Sequence, residues 1–158
     1  MNVRFEQYIN GLTPSKKAIA NEALQEYLTG CSEQFDILND SWALYQKVRH
    51  LSGEQLEHAY VIMMKQNFRF IKAVEVSVGG LTNCIFDVRV ILRTAIINNA
   101  TVIAIAHNHP SGSIVPSADD NRVTEKIKNA CKLVGIHLCD HIIVGEERYY
   151  SYSDKGAM

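Results

Sequence analysis

The four cysteines of this chain, Cys31, Cys84, Cys131 and Cys139, form no CxxC pair. That removes the usual thiolate zinc site and the thioredoxin-type redox pair. Their wide spacing is not the framework of a small disulfide-stapled domain, so they read as reduced thiols in a cytoplasmic protein. An excess of charge of either sign is also missing: 16 basic against 17 acidic residues leave a formal net charge of -1. No global field pulls the chain toward nucleic acid or an anionic membrane. The first residues, MNVRFEQYINGLTPSKK, lack the apolar centre of a signal peptide. No apolar run approaches the roughly 20 residues needed to cross a bilayer, and no repeat or low-complexity tract appears. What remains is the ordinary balance of a globular domain, with 158 residues, 47% of them hydrophobic and 21% charged, enough for one core.

Punctuation along the chain divides it into elements. Thr13 before Pro14 starts a helix and Gly30 stops it, which predicts a helix over 14–28 within an N-terminal helical segment of residues 1–40. Asp40 or Ser41 caps a second helix, with Trp42, Leu44, Tyr45 and Val48 at helical spacing. Residues 59–64 and 68–78 read as a β-hairpin turning at Gln66-Asn67, and Gly79-Gly80 breaks it. Asp87 caps a helix to about Asn98. Thr101 to Ala106 is an unbroken apolar run of the kind buried on both faces of a sheet. Ser117 opens a helix to about Leu133 that Gly135 stops, and residues 136–144 and 148–152 give two more strands. Helices alternating with strands predict a three-layer α/β/α domain with a mixed sheet over residues 41–158.

The stretch Ile105 to Asp120, IAHNHPSGSIVPSADD, follows that central run, where ligands collect at strand ends. In a strand, residues i and i+2 point the same way, so His107 and His109 can bring both imidazoles to one point. Asp120, in the first turn of the next helix, can supply an oxygen. Two nitrogens and a carboxylate leave a tetrahedral zinc one open position, the arrangement of a catalytic site. Ser117 and Asp120 equally fit a serine-x-x-acid capping box, which needs no metal, and taken alone the pair reads first as the cap. The tripeptide His107-Asn108-His109 is not the ββα arrangement of an HNH nuclease. A zinc deaminase would need an H-x-E and a distant P-C-x-x-C, which Cys131 and Cys139 do not supply.

His107-x-His109, seven residues, Ser117, two residues and Asp120 together resemble the JAMM motif of the MPN/JAB1 metalloproteases. His107 to Gly112, Asp140-His141-Ile142-Ile143-Val144-Gly145, the Gly79-Gly80-Leu81 break and Tyr150-Ser151-Tyr152 are similar to the RadC-like bacterial branch, which carries a DNA-repair label. The resemblance covers roughly residues 41 to 158. It implies a cytidine-deaminase-like fold, a zinc ion on His107, His109 and Asp120, and hydrolysis of a peptide or isopeptide bond in a protein or peptide substrate. It further implies Glu57, at the start of an early strand, as general base, with Glu54 as its rival, and Ser117 as hydrogen-bond donor to the oxyanion. Asp140 and His141 read first as sheet-edge packing and hydrogen bonding, with a place behind the metal ligands as the lesser alternative, and stay outside the site. The alternative is a DNA-associated or scaffolding module without hydrolytic activity. The near-neutral charge disfavours duplex DNA, and Lys126, Lys128 and Lys132 read as a solvated helix face.

Overall fold

The computed structural model describes residues 36–79 and 86–158 together with Thr13 and Lys16. Apart from Lys16, the expected helix 14–28 lies outside the described residues, as do the Gly80-Leu81 part of the hairpin break, Cys31 and Cys84. Helix α1 (Ser41–Val48) is capped by the Asp40 side chain, which accepts from the Ala43 amide at 2.7 Å. Strands β1 (His58–Met64) and β2 (Phe70–Val78) form the expected antiparallel hairpin. Helix α2 (Val88–Ile97) starts on the Asp87 carboxylate, which accepts from the Arg89 amide. Strand β3 (Val102–Asn108), helix α3 (Ala118–Leu133) and strands β4 (His137–Val144) and β5 (Tyr149–Ser151) follow. Among the described residues, no helix is long and apolar enough to cross a membrane.

The five strands make one mixed sheet in the order β2-β1-β3-β4-β5. Only β3 and β4 run parallel, and that pair requires a crossover, which α3 provides. Alternate residues of each strand feed opposite faces. Val61, Met63, Ile103 and Ile105 pack with Ile91 and Ala95 of α2 and Ile127 and Cys131 of α3. On the other face, Ile62, Met64, Ala104, Ala106, Ile142 and Val144 pack with Leu44, Tyr45 and Val48 of α1. The result is the three-layer α/β/α architecture with a mixed sheet. Its central strand β3 is buried at every residue, which explains a run without polar alternation.

Register then sets what can meet at the end of β3. Ala59 lies opposite His107 across β1 and β3, so the residues just before β1 sit beside the strand end. On the other flank, Ile105 faces His141 and His107 faces Ile143 of β4. The loop after β3 folds back over the end of β4. There a Cβ on Gly145 would come to 2.5 Å from Ile114 Cγ2 and 2.6 Å from the Gly112 carbonyl oxygen. Replacing Gly145 by Ala should therefore destabilise the fold by about 1–3 kcal/mol, as overpacking does. Denaturant titration of Gly145→Ala measures this. Adding Ile114→Ala should recover only part of the loss, because the Gly112 carbonyl still blocks the methyl group.

Candidate metal centre

His107, fully buried, is the penultimate residue of β3, and half-buried His109 lies one residue past the strand. The His109 amide still donates to the Val144 carbonyl at 3.1 Å, so the chain keeps its strand-like course just far enough to bring the second imidazole round. The two Nε2 atoms stand 3.0 Å apart. What those nitrogens carry is decided by the other side of each ring.

His109 Nδ1 lies 2.8 Å from the Ser113 carbonyl oxygen, which can only accept. The ring hydrogen is therefore on Nδ1, and Nε2 is left with a lone pair. His107 Nδ1 lies 2.9 Å from His141 Nε2, and His141 Nδ1 lies 2.6 Å from the Thr124 hydroxyl. That hydroxyl in turn donates to the Asp120 carbonyl at 2.6 Å. One pattern of hydrogens satisfies every contact: Thr124 gives its hydrogen to Asp120, His141 gives Nδ1–H to Thr124, and His107 gives Nδ1–H to His141. His141 must then be neutral, in keeping with its pKa, which burial and the neighbouring His107 push well below the ordinary histidine value. The outcome is a second bare lone pair, on His107 Nε2.

Two lone pairs facing each other at this distance repel unless a proton or a cation lies between them. Asp120 adds negative charge at the same point. Its Oδ1 is 3.2 Å from His107 Nε2 and its Oδ2 is 3.5 Å from His109 Nε2. Burial opposes ionisation of this carboxyl, but the pull of a proton shared with His107 and His109, together with the hydrogen bonds from Ser117, outweighs it and holds the pKa well below the carboxylate range. Hydrogen bonding to Asp120 likewise raises the pKa of His109, against the opposing effect of burial. Protons and metal ions thus compete for one pocket of lone pairs. Two imidazole nitrogens and a carboxylate oxygen are a donor set that zinc accepts, so the residues present fit a zinc ion.

Glu57 precedes β1 and reaches the same place. Its Oε1 is 3.9 Å from His107 Nε2, and one ligand atom each from Glu57, His107 and His109 lie within 4.8 Å of one another. Its side chain is 11% exposed, whereas Glu54 is on the surface, so of the two rivals Glu57 is the one brought to the histidines. Asp119 is also on the surface, in an ion pair with Arg122. Ser117 forms the capping box with Asp120. Its hydroxyl donates to Asp120 Oδ2 at 2.7 Å and accepts from the Asp120 amide at 3.0 Å, while its own amide donates to Oδ2 at 2.7 Å. Phe86 closes one side edge-on, with ring centroids 5.9 Å from His107 and 5.6 Å from His141.

Asp140 and His141, read from the sequence as sheet-edge packing or, less favoured, as partners behind the site, have separate roles. Asp140 is structural. It accepts from the His141 amide, the Ser153 amide and the Ser151 hydroxyl, tying the C-terminal turn to β4, and burial raises its pKa. His141 touches the centre directly through His107 and stacks on Tyr152 at 4.8 Å. Thr124 was not singled out at all. The available signal was a histidine inside the apolar strand that follows α3, together with a threonine one helical turn after Asp120.

Comparison with known proteins supplies the family. The RadC-like JAB domain matches residues 38–157. A UPF0758 protein of Streptococcus gordonii is 38% identical over 144 residues, covering 88% of this chain and 64% of that protein. UPF0758 proteins of Flavobacterium johnsoniae and Porphyromonas gingivalis are 36% and 30% identical, covering 63% and 94% of this chain. The chain spans 64%, 44% and 67% of the lengths of these three curated relatives. With its three-layer fold, its paired histidines and a family match over most of its length, the chain belongs to the RadC-like JAB domain family.

Proposed function

We propose that this chain is a zinc-dependent hydrolase that cleaves a peptide or isopeptide bond in a protein or peptide substrate in the cytoplasm. One observation carries the reading: two histidine Nε2 atoms converge at 3.0 Å beside a buried carboxylate, with a second, nearly buried carboxylate alongside. The family includes hydrolases, and its members can bind zinc. A catalytic zinc is a Lewis acid that brings the pKa of water down to about 7.

Around it the chain's own groups divide the work. His107, His109 and Asp120 would hold the ion, the aspartate supplying the charge that two neutral imidazoles lack. Glu57 takes the proton that water gives up and returns it to the departing amine. The Ser117 hydroxyl rotates about one bond. Its hydrogen, given to Asp120 Oδ2 in this structure, can turn toward the oxygen of the attacked carbonyl. His141 and Thr124 keep the His107 ring in the tautomer with Nε2 bare, and Phe86 keeps that side of the site apolar.

The complete donor set supports a hydrolase over a scaffolding module without metal. Duplex DNA as a partner has little support, since Lys126 and Lys132 are exposed on a helix that also presents Glu125 and Asp119.

Purified protein treated with chelator and reloaded should hold about one zinc per chain by elemental analysis, and His109→Ala should lose it. Failure of the wild-type chain to bind zinc sinks the reading. Glu57→Gln should keep the metal while hydrolysis in a peptide-library assay falls by about 10²-fold or more. His141→Leu, which leaves the His107 tautomer unset, should weaken zinc affinity by about 10- to 100-fold in competition with a chelating dye. Retention on duplex DNA that falls steeply with salt would favour the DNA-associated reading instead.

A further inference from the structure

The residue between the two histidines has no part in the donor set. Asn108 is the last residue of β3, and strand alternation sends its side chain to the face opposite His107. It is 2% exposed, yet every polar atom of its carboxamide is engaged, and all of its partners lie in the segment that carries Glu57. Oδ1 accepts from the His58 amide at 2.7 Å. Nδ2 donates to the Leu56 carbonyl at 2.9 Å and to the Glu54 carbonyl at 3.4 Å. These contacts bracket Glu57 on both sides along the chain. Residues 54–57 precede β1 and belong to no helix or strand. The Glu57 carbonyl accepts from the Gly79 amide at 2.8 Å, so backbone and carboxamide together leave this short piece of loop one course.

We propose that Asn108 is a positioning residue that sets the Glu57 carboxylate against the metal centre, an inference that rests on the reading of Glu57 as the base. The chemistry selects a carboxamide. Holding one amide and two carbonyls from a single short side chain takes an acceptor at one tip and donors at the other. Aspartate has no donors, leucine has neither, and serine is too short to span the gap. Because Asn108 shares a strand end with both histidines, it ties the base to the same rigid element that places the ligands. A misplacement of about 1 Å can cost on the order of 10²-fold in rate, so such a tie has a large effect.

The test compares wild type, Asn108→Ala and Asn108→Asp. The aspartate variant keeps shape and acceptor but aims a carboxylate at two carbonyls. In protein carrying carbon-13 at glutamate carboxyls, with the Glu57 signal identified through Glu57→Gln, one equivalent of zinc should shift that signal in wild type. Both Asn108 variants should bind zinc within about threefold of wild type, because the ligands are untouched, but lose most of that shift. With any peptide substrate found, kcat should fall about 10²-fold while KM moves less than about threefold. A zinc-induced Glu57 shift that persists in both variants overturns the proposal, as does loss of the folded state in both by circular dichroism, which would make Asn108 a purely structural residue. Absence of zinc binding by the wild-type chain is a different result and strikes the hydrolase reading itself.

Discussion

Everything at this site depends on where two hydrogens sit. His107 and His109 each commit the Nδ1 hydrogen to a partner behind the ring, so each presents Nε2 bare, 3.0 Å from the other. Neither partner is incidental. The Ser113 carbonyl is held by a loop folded onto Gly145, and His141 is neutral because it is fully buried. A fold that buried His141 less completely would let it take up a proton on Nε2 and donate to His107 Nδ1, reversing that one bond. The lone pair of His107 would then be lost.

The sheet supplies this arrangement through one topological choice. Because β3 and β4 run parallel, the chain between them must return to the start of the sheet, and α3 is that return. A helix that begins beside the end of β3 puts its first turn, and so Asp120, over the histidines. Its second turn brings Thr124 against His141. The antiparallel pairing of β1 with β3 does the complementary work, since the residue before β1 necessarily arrives at the end of β3. The two histidines, Asp120 and Glu57 therefore come from three separate stretches of chain but are referred to one strand.

How much of this was legible in the sequence follows from how local each feature is. Caps and stops are local, and Asp40, Asp87, Ser117 and Gly135 mark their helices where the residues place them. The period of two is local as well, so the pairing of His107 with His109 could be expected from the strand alone. For His141 a place behind the site was only the lesser reading, because the choice depends on the register of β4 against β3. A slip of one residue would turn His141 to the other face, against α1. Asn108 was hidden for the opposite reason. The letters H-N-H invite attention as a unit, whereas its side chain points away from its neighbours and speaks only to residues about fifty positions earlier.

The rival reading of Ser117 and Asp120 as a plain helix cap also resolves at the level of single atoms. A carboxylate has two oxygens, and here they have different duties. Oδ2 takes both hydrogen bonds from Ser117 and completes the capping box, while Oδ1 lies nearest His107 at 3.2 Å without a bond from Ser117. The cap consumes one oxygen and in doing so fixes the rotation of the carboxylate, which aims the other. An aspartate serves this better than the longer glutamate of the common box, because its single methylene leaves less freedom once Oδ2 is tied. Asp119 has no such restraint. One position earlier on the helix it faces solvent and pairs with Arg122, so two adjacent, chemically identical side chains have unrelated roles. The cap is thus the device that turns a surface helix start into a rigid carboxylate aimed at the two histidines.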